Sequence, residues 1–438
     1  MNIDHRGLSR FEHDELRDLV LAGTQRIRPS SRRGLLAGAG VALLLVGALV
    51  GGMFTWALIA NRPPAPVTGV PAPKTTVWSG WVAFAAGEQD GDIYLVKQGS
   101  AARRILGSDK DTADQACPAF SPDGGRLVSG QVTDDGSGGE KAALVITKLA
   151  ADGEPTDTVT IALDGVFNMP CAIWSADSRW LAFGAQVSEP EGVGEVWVVD
   201  TFTNDIRRRT ADNQGVTDLE WAPNASELYM ANLGITVYSA TSEKTHTVPG
   251  TLGAVALAVS PDGQSLAVQY AGSGTGVAAE LWLMGTDGSD RRNLVSGYTT
   301  NFGIGPVWSP QGNQVAFQRL CDTYTDDSGR ARTCLEEHEV VLVTVKDGDP
   351  GGPFGTQKVI APPKPTLGGK SSPWFPYSVS WAPDNLTLLY VAWGPSGTGI
   401  LAVPMDSATP PSLLADALNG ARYRRDPWNT FQSWSKKP

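Results

Sequence analysis

From about residue 80 onward, hydrophobic and polar residues alternate in short runs separated by Pro, Gly, Asp and Asn. Period-two alternation over four to eight residues, bounded by such residues, predicts β-strands rather than helices. The pattern also repeats. Seven fragments begin at an apolar anchor followed by Ser or Ala, at Phe120, Trp174, Trp221, Val259, Trp308, Trp381 and Trp434. The first six continue as "FSPDG", "WSADS", "WAPNA", "VSPDG", "WSPQG" and "WAPDN". Seven residues past each of these anchors stands an aliphatic: Leu127, Leu181, Leu228, Leu266, Val315 or Leu388. Nine residues past it stands Phe183, Met230, Val268, Phe317 or Tyr390, with Ser129 the exception.

This is the signature of a hairpin. A strand ends at the anchor, and Pro presets φ for a turn. Asp bonds the turn backbone, Gly accepts positive φ, and a second strand alternates away. Third strands follow at 144–147, 196–200, 235–239, 281–285, 340–345 and 400–404, then polar fourth strands such as "DIRRRT" and "DRRNLV". Four strands per unit, repeated around a ring, predict an all-β seven-bladed β-propeller over residues 78–438. A miscounted strand would make it six or eight blades. The ends fit one another. "WVAFAAGEQDGDIYLVKQGSAARRIL" supplies second, third and fourth strands without a first, and the C-terminal "TFQSW" supplies a first strand without followers. Together they predict a split blade that closes the ring and leaves no open sheet edge.

The W-S-P-D-G pattern resembles the PD40 (WD40-like) repeat of TolB-like propellers. The Gly-His and Trp-Asp marks of WD40 itself are missing. The resemblance covers residues 80–438 and implies a bacterial member of that family, which here would carry a membrane anchor in place of the family's separate soluble N-terminal domain. By analogy it implies docking to envelope components. It does not fix a function, because the architecture hosts many.

Residues 34–60, "GLLAGAGVALLLVGALVGGMFTWALIA", carry no charge. As a helix they would extend about 40 Å, against a hydrocarbon core of about 30 Å. Arg26, Arg28, Arg32 and Arg33 precede the run and only Arg62 follows closely. The positive-inside rule then predicts a single-pass transmembrane helix, with residues 1–33 cytoplasmic and the propeller extracytoplasmic. The rival reading is a cleaved twin-arginine signal, from "SRRGLLAG". Its apolar run is long for a signal, and no A-x-A site stands near its end. Residues 61–77, rich in Pro, read as a spacer. Residues 9–22 read as a short helix opened by the Ser9/Glu12 capping box. That helix either lies on the membrane or contacts a cytoplasmic partner.

The formal net charge of −11 argues against nucleic acid as a partner. All four cysteines lie beyond the apolar run, which fits disulfides in an oxidising compartment. Cys321 and Cys334 flank a long loop and are expected to close it. Cys117 and Cys171 stand four residues before the Ser of "FS" and "WS", equivalent places in neighbouring blades, and are expected to bridge them. Two free buried thiols are the alternative for that second pair.

The long connections at 130–141, 185–194, 270–278 and 318–338 all open on the face opposite the SPDG turns. Segments leading into first strands add Tyr298, Phe302, Trp374, Phe375, Tyr377, Tyr423, Arg424, Arg425 and Trp428 around the channel mouth. Aromatic and Arg side chains suit a protein, peptide or glycan partner. The alternative is that half of them fill gaps between blades. No G-x-S-x-G, calcium loop or dinucleotide fingerprint is present, so no catalytic residue, metal ligand or cofactor is assigned. The expected function is a non-enzymatic binding or scaffold module of the cell envelope. The alternatives are a sensor signalling through residues 1–33 and an enzyme built from scattered loop carboxylates.

Overall fold

In the computed structural model the chain divides into two units, Met1–Ala72 and Pro73–Pro438. The structure describes residues 80–434 apart from 87–90, 98, 108–112, 135, 137–138, 188–192, 209–215, 271–278, 299–304, 321–322, 326–330, 334–337, 347–353, 361–365, 368–369, 372–374, 395–396, 406–411 and 416–431. The expected cytoplasmic segment, membrane helix and spacer lie outside the described residues. Among those described, no helix is long and apolar enough to cross a membrane.

Seven four-stranded antiparallel sheets form the blades. Blade 2 runs Asp114–Phe120, Arg126–Asp134, Glu140–Leu149, Pro155–Leu163. Blade 3 runs Ile173–Trp174, Trp180–Val187, Val193–Asp200, Asp205–Arg208. Blade 4 runs Asp218–Trp221, Glu227–Ala231, Ile235–Ser239, Thr245–Thr247. Blade 5 runs Ala254–Val259, Ser265–Tyr270, Ala279–Gly285, Arg292–Tyr298. Blade 6 runs Val307–Trp308, Gln314–Leu320, His338–Thr344, Gln357–Ile360. Blade 7 runs Phe375–Trp381, Thr387–Gly394, Gly397–Pro404, Ser412–Ala415.

Blade 1 is the split one. Val82–Ala86, Asp92–Val96 and Arg103–Leu106 are joined by Gln432–Trp434, with Val82 opposite Trp434 and Phe84 opposite Gln432. The two ends of the propeller thus share one sheet, as the repeat predicts.

The core is distributed over the seams between blades. Each of the seven seams holds its own apolar cluster, including the closing one, where Val82, Phe84 and Val96 of blade 1 pack on Leu389, Ile400 and Leu414 of blade 7. The anchor faces the preceding blade: Trp174 joins the blade 2–3 cluster and Trp221 the blade 3–4 cluster. The indole N–H of Trp174 donates to the Ala119 carbonyl at 2.9 Å, and that of Trp308 to the equivalent Ala258 carbonyl at 3.0 Å.

The motif serine explains itself in the turn. Ser121, Ser175, Ser260 and Ser309 are all buried. Each hydroxyl oxygen accepts from the backbone N–H five residues on, at 2.8–3.0 Å. In blades 2, 3 and 5 the same hydroxyl donates to the turn aspartate: Asp123, Asp177 or Asp262. Those carboxylates also accept from the backbone two residues on. Hydrogen bonding to Ser260 and to the Gln264 amide holds the Asp262 carboxyl below the usual range. These are the loads of a turn, not of a catalytic group.

One expectation needs correction. The segment 130–141 of blade 2 is mostly strand: its second strand runs to Asp134 and its third begins at Glu140, leaving a short tip. Polar residues at the sheet's end pair in register there, Thr133 with Lys141 and Asp134 with Glu140.

Candidate functional site

Antiparallel order puts the SPDG turns and the third-to-fourth connections at one end of the ring. The second-to-third and fourth-to-first connections lie at the other. The turn end is a locked scaffold. Four residues past each anchor the backbone has positive φ, at Gly124, Ser178, Ala225, Gly263, Gly312 and Asn385. Where that residue is not Gly its side chain can reach the preceding blade. The Asp123 N–H donates to Ser178 Oγ at 3.0 Å, and the Gln311 N–H to Asn385 Oδ1 at 3.1 Å. Arg126 extends the lock: it donates to Thr201 Oγ1 and the Ser178 carbonyl and lies over the Trp174 ring. Arg179 forks onto the buried Asp200 carboxylate at 2.7 and 3.1 Å.

The other end carries the irregular chain. Blade 6 inserts a two-stranded hairpin, Thr323–Thr325 with Ala331–Thr333, between its second and third strands. Thr366–Leu367 pairs with Lys370–Ser371 between blades 6 and 7. Over blades 4 and 5 two leucines project side by side: Leu233 is 60% exposed and Leu252 89%. They are tied by the Gly253 N–H donating to the Leu233 carbonyl at 2.8 Å.

Tyr298 closes the fourth strand of blade 5 and is buried, with its ring 5.1 Å from Phe317 of blade 6 in an edge contact. It fills the seam between these blades rather than standing at the channel mouth, and burial pushes its hydroxyl pKa up. Phe375 and Tyr377 lie in the innermost strand of blade 7. Phe302, Trp374, Tyr423, Arg424, Arg425, Trp428, Cys321 and Cys334 lie outside the described residues. Cys117 and Cys171 are bridged, with Cα atoms 5.1 Å apart across 54 residues of chain. The bridge staples the innermost strand of blade 2 to the segment entering blade 3. Cys117 stands at a register shift in that strand, with φ of 56°.

Two functional candidates were missed by motif reading. Three residues before the anchors stand Cys117, Cys171, Asp218, Ala256, Gly305 and Ser378; one residue before stand Ala119, Ile173, Glu220, Ala258, Val307 and Ser380. At the nearer position Ala119, Ile173, Ala258 and Val307 all pack into the seam with the following blade. In blade 4 that place holds Glu220, and the one before it Asp218. Leu219 and Trp221 turn to blade 3. The two carboxyls take the opposite side of the strand, toward the channel and blade 5.

Asp218 is held from two sides. Its Oδ1 accepts from the Leu219 N–H and its Oδ2 from the Leu257 N–H of blade 5, both at 2.9 Å. It also reaches Gly305, where a Cβ would sit 2.8 Å from Oδ2. A glycine is what lets the carboxylate cross there. No hydrogen bond to Glu220's carboxyl is found among the described residues. Both residues are partly exposed. Burial pushes Asp218 up to about 7, against the pull of its two N–H donors. Burial, and then the charge of Asp218, push Glu220 up to about 8. At neutral pH the pair therefore holds roughly one proton between them. No group of His, Cys, Asp and Glu arranged to hold a metal is found among the described residues.

The sequence matches no family model and no curated protein. Several solved propellers are similar in fold. TolB from Acinetobacter baumannii aligns at 16% identity with a TM-score of 0.42, over 61% of this chain and 62% of that one. The chain thus spans under two thirds of that TolB. The periplasmic gluconolactonase of Pseudomonas aeruginosa aligns at 14% identity and 0.48, over 82% of this chain and 99% of that one. The propeller domain of the Trilobed protease from Pyrococcus furiosus aligns at 12% and 0.46, over 70% and 84%. These are distant likenesses of architecture.

Proposed function

We propose that this protein is a membrane-anchored, extracytoplasmic propeller that binds a protein, peptide or glycan of the cell envelope through the face opposite the SPDG turns. The observation that carries the reading is the asymmetry of the two faces. One carries the short SPDG turns, bonded to one another across blades 2–3 and 6–7. The other bears the inserted hairpins and the adjacent exposed Leu233 and Leu252. Binding residues concentrate on variable connections held by a rigid scaffold. The Cys117–Cys171 bridge fits an oxidising compartment.

The test is crosslinking and mass spectrometry on cells carrying the tagged full-length chain, beside a version lacking residues 2–30. The same envelope components captured by both support the reading. A cytoplasmic regulator captured only by the full-length chain moves the account to a transmembrane sensor.

A second reading, a hydrolase or lyase, is favoured by the Asp218–Glu220 pair. One protonated and one ionised carboxyl at neutral pH is the division that general acid–base chemistry uses. Turnover of an envelope substrate, abolished by both Glu220→Gln and Asp218→Asn, would establish it.

A further inference from the structure

We propose that the outermost strand of blade 2, Pro155–Leu163, is a pairing edge for a second copy of this chain. The copy adds its own Pro155–Leu163 antiparallel to the first, about a two-fold axis at Val159. Among the described outer strands this one is the longest, nine residues against three to seven in the other blades. All of it is exposed except Ile161 and Leu163. Sheet edges in soluble proteins are usually blunted by short length, by basic side chains or by bulges. The outer strands of blades 1, 3, 5 and 6 carry Arg or Lys, and those of blades 4 and 7 are short. The outer strand of blade 5 also shifts register twice. Pro155–Leu163 has no basic residue, is rich in β-branched Thr, Val and Ile, and shifts register only at its start.

The backbone of this strand has a free side. The Ser121 N–H donates to the Arg126 carbonyl at the first turn of blade 2, which fixes the alternation of bonded pairs across the sheet. Followed through the registers of its strands, that alternation turns the N–H and C=O of Asp157, Val159, Ile161 and Leu163 inward to the third strand. Those of Thr156, Thr158, Thr160 and Ala162 point outward. The Thr158 N–H agrees, since it donates to Asp157 Oδ1 at 3.0 Å rather than to the sheet. No backbone partner for the outward groups is found among the described residues.

The occupant is a second copy because the edge is complementary to itself. Val159 is the midpoint of the strand, so a two-fold axis there pairs every residue of it. The outward residues then meet one another, Thr158 with Thr160 and Thr156 with Ala162, and exchange their backbone bonds. Val159, 42% exposed, packs against its own copy. Asp157, the one charge in the strand, falls opposite Ile161 and not opposite another Asp157, so no like charges face each other within it. At each end Glu154 nears Asp164 of the second copy, and Arg103, which already pairs with Glu154, supplies the balancing charge. The contact lies on the rim of the propeller and is independent of the face proposed above for envelope partners.

Val159→Cys in the full-length chain, expressed in cells and run on non-reducing gels, tests this. Residues facing each other as a non-bonded antiparallel pair have Cα atoms about 4.5 Å apart, within reach of a disulfide. The variant is expected to run mainly as a covalent dimer. Thr156→Cys, about 20 Å from its own copy in this register, is expected to stay monomeric. Adding Thr160→Pro to Val159→Cys removes an outward N–H and no bond within the blade. It should abolish the covalent dimer and move Tm by no more than about 2 °C. Sedimentation of the purified full-length chain gives a readout without new thiols. Wild type should be dimeric, Val159→Lys and Val159→Glu each monomeric, and the two co-expressed dimeric again, because residue 159 faces itself. A monomeric wild type, equal crosslinking from Val159→Cys and Thr156→Cys, or an adduct of Val159→Cys with a different protein in place of a second copy overturns the proposal.

Discussion

At the scale of the residue, the two acids of blade 4 bear on stability through their raised carboxyls. A carboxyl whose pKa rises on folding binds its proton more tightly in the folded chain than in the unfolded one. Between an unfolded value of about 4 and folded values of about 7 and about 8, the folded state holds the extra protons. Stability therefore falls as pH rises through that window and levels off above it. Glu220→Gln should remove the upper part of the fall and raise Tm at pH 8.5 by about 2 °C, with little change at pH 5. Parallel Tm profiles for wild type and variant would refute the assignment. Asp200 runs the other way. Burial raises its carboxyl, but Arg179 and nearby backbone N–H groups outweigh that and leave it lowered. Its contribution is present above the unfolded carboxylate range and lost as acid protonates it. Arg179→Met leaves Asp200 buried without its guanidinium and should cost about 1–3 kcal/mol in urea unfolding at pH 7. That deficit should shrink toward pH 3.

At the scale of the element, the repeat motif reads as a set of joints. Trp174 and Trp308 bond the preceding blade through their indole N–H, whereas the buried indole N–H groups of Trp221 and Trp381 have no partner among the described residues. Trp174→Phe should therefore cost about 1 kcal/mol more than Trp221→Phe. Equal losses in denaturant titrations would show that the indole bonds add nothing beyond packing. Much of this level was legible in the sequence. Anchor, turn and second strand came from fixed spacing, and the Cys117–Cys171 bridge followed because both cysteines fall at one repeat position. The acids were not legible, because "DLEW" reads as an ordinary alternating strand with a polar face. Aligning the residues before each anchor would have exposed them, since Asp218 then stands in a column with Cys, Ala, Gly and Ser. Composition alone leaves Tyr298 in the connection entering blade 6, because strand ends are set by pairing rather than by composition. The fourth strand of blade 5 runs on to that residue, where Ala279 pairs with it.

At the scale of the molecule, the ring is closed by few residues. Three pairs hold Gln432–Trp434 to Val82–Phe84. Ser433→Pro would constrain this strand and remove an N–H from the innermost position of the blade. It should lower Tm by about 5 °C or more and make the residues around 82–96 the first proteolytic sites. A Tm unchanged by that substitution would mean that the seam clusters alone hold the ring. The same geometry gives the molecule one face of interlocked turns and one of exposed connections, and the functional account rests on that division. The measurement that addresses it most directly places a photo-crosslinking residue in the full-length chain in cells, once at Leu252 on the connection-rich face and once at Phe202, 71% exposed on the turn face. The account predicts a discrete adduct with an envelope component from position 252 and none from position 202. Adducts from position 202 alone, or in equal yield from both, would contradict it.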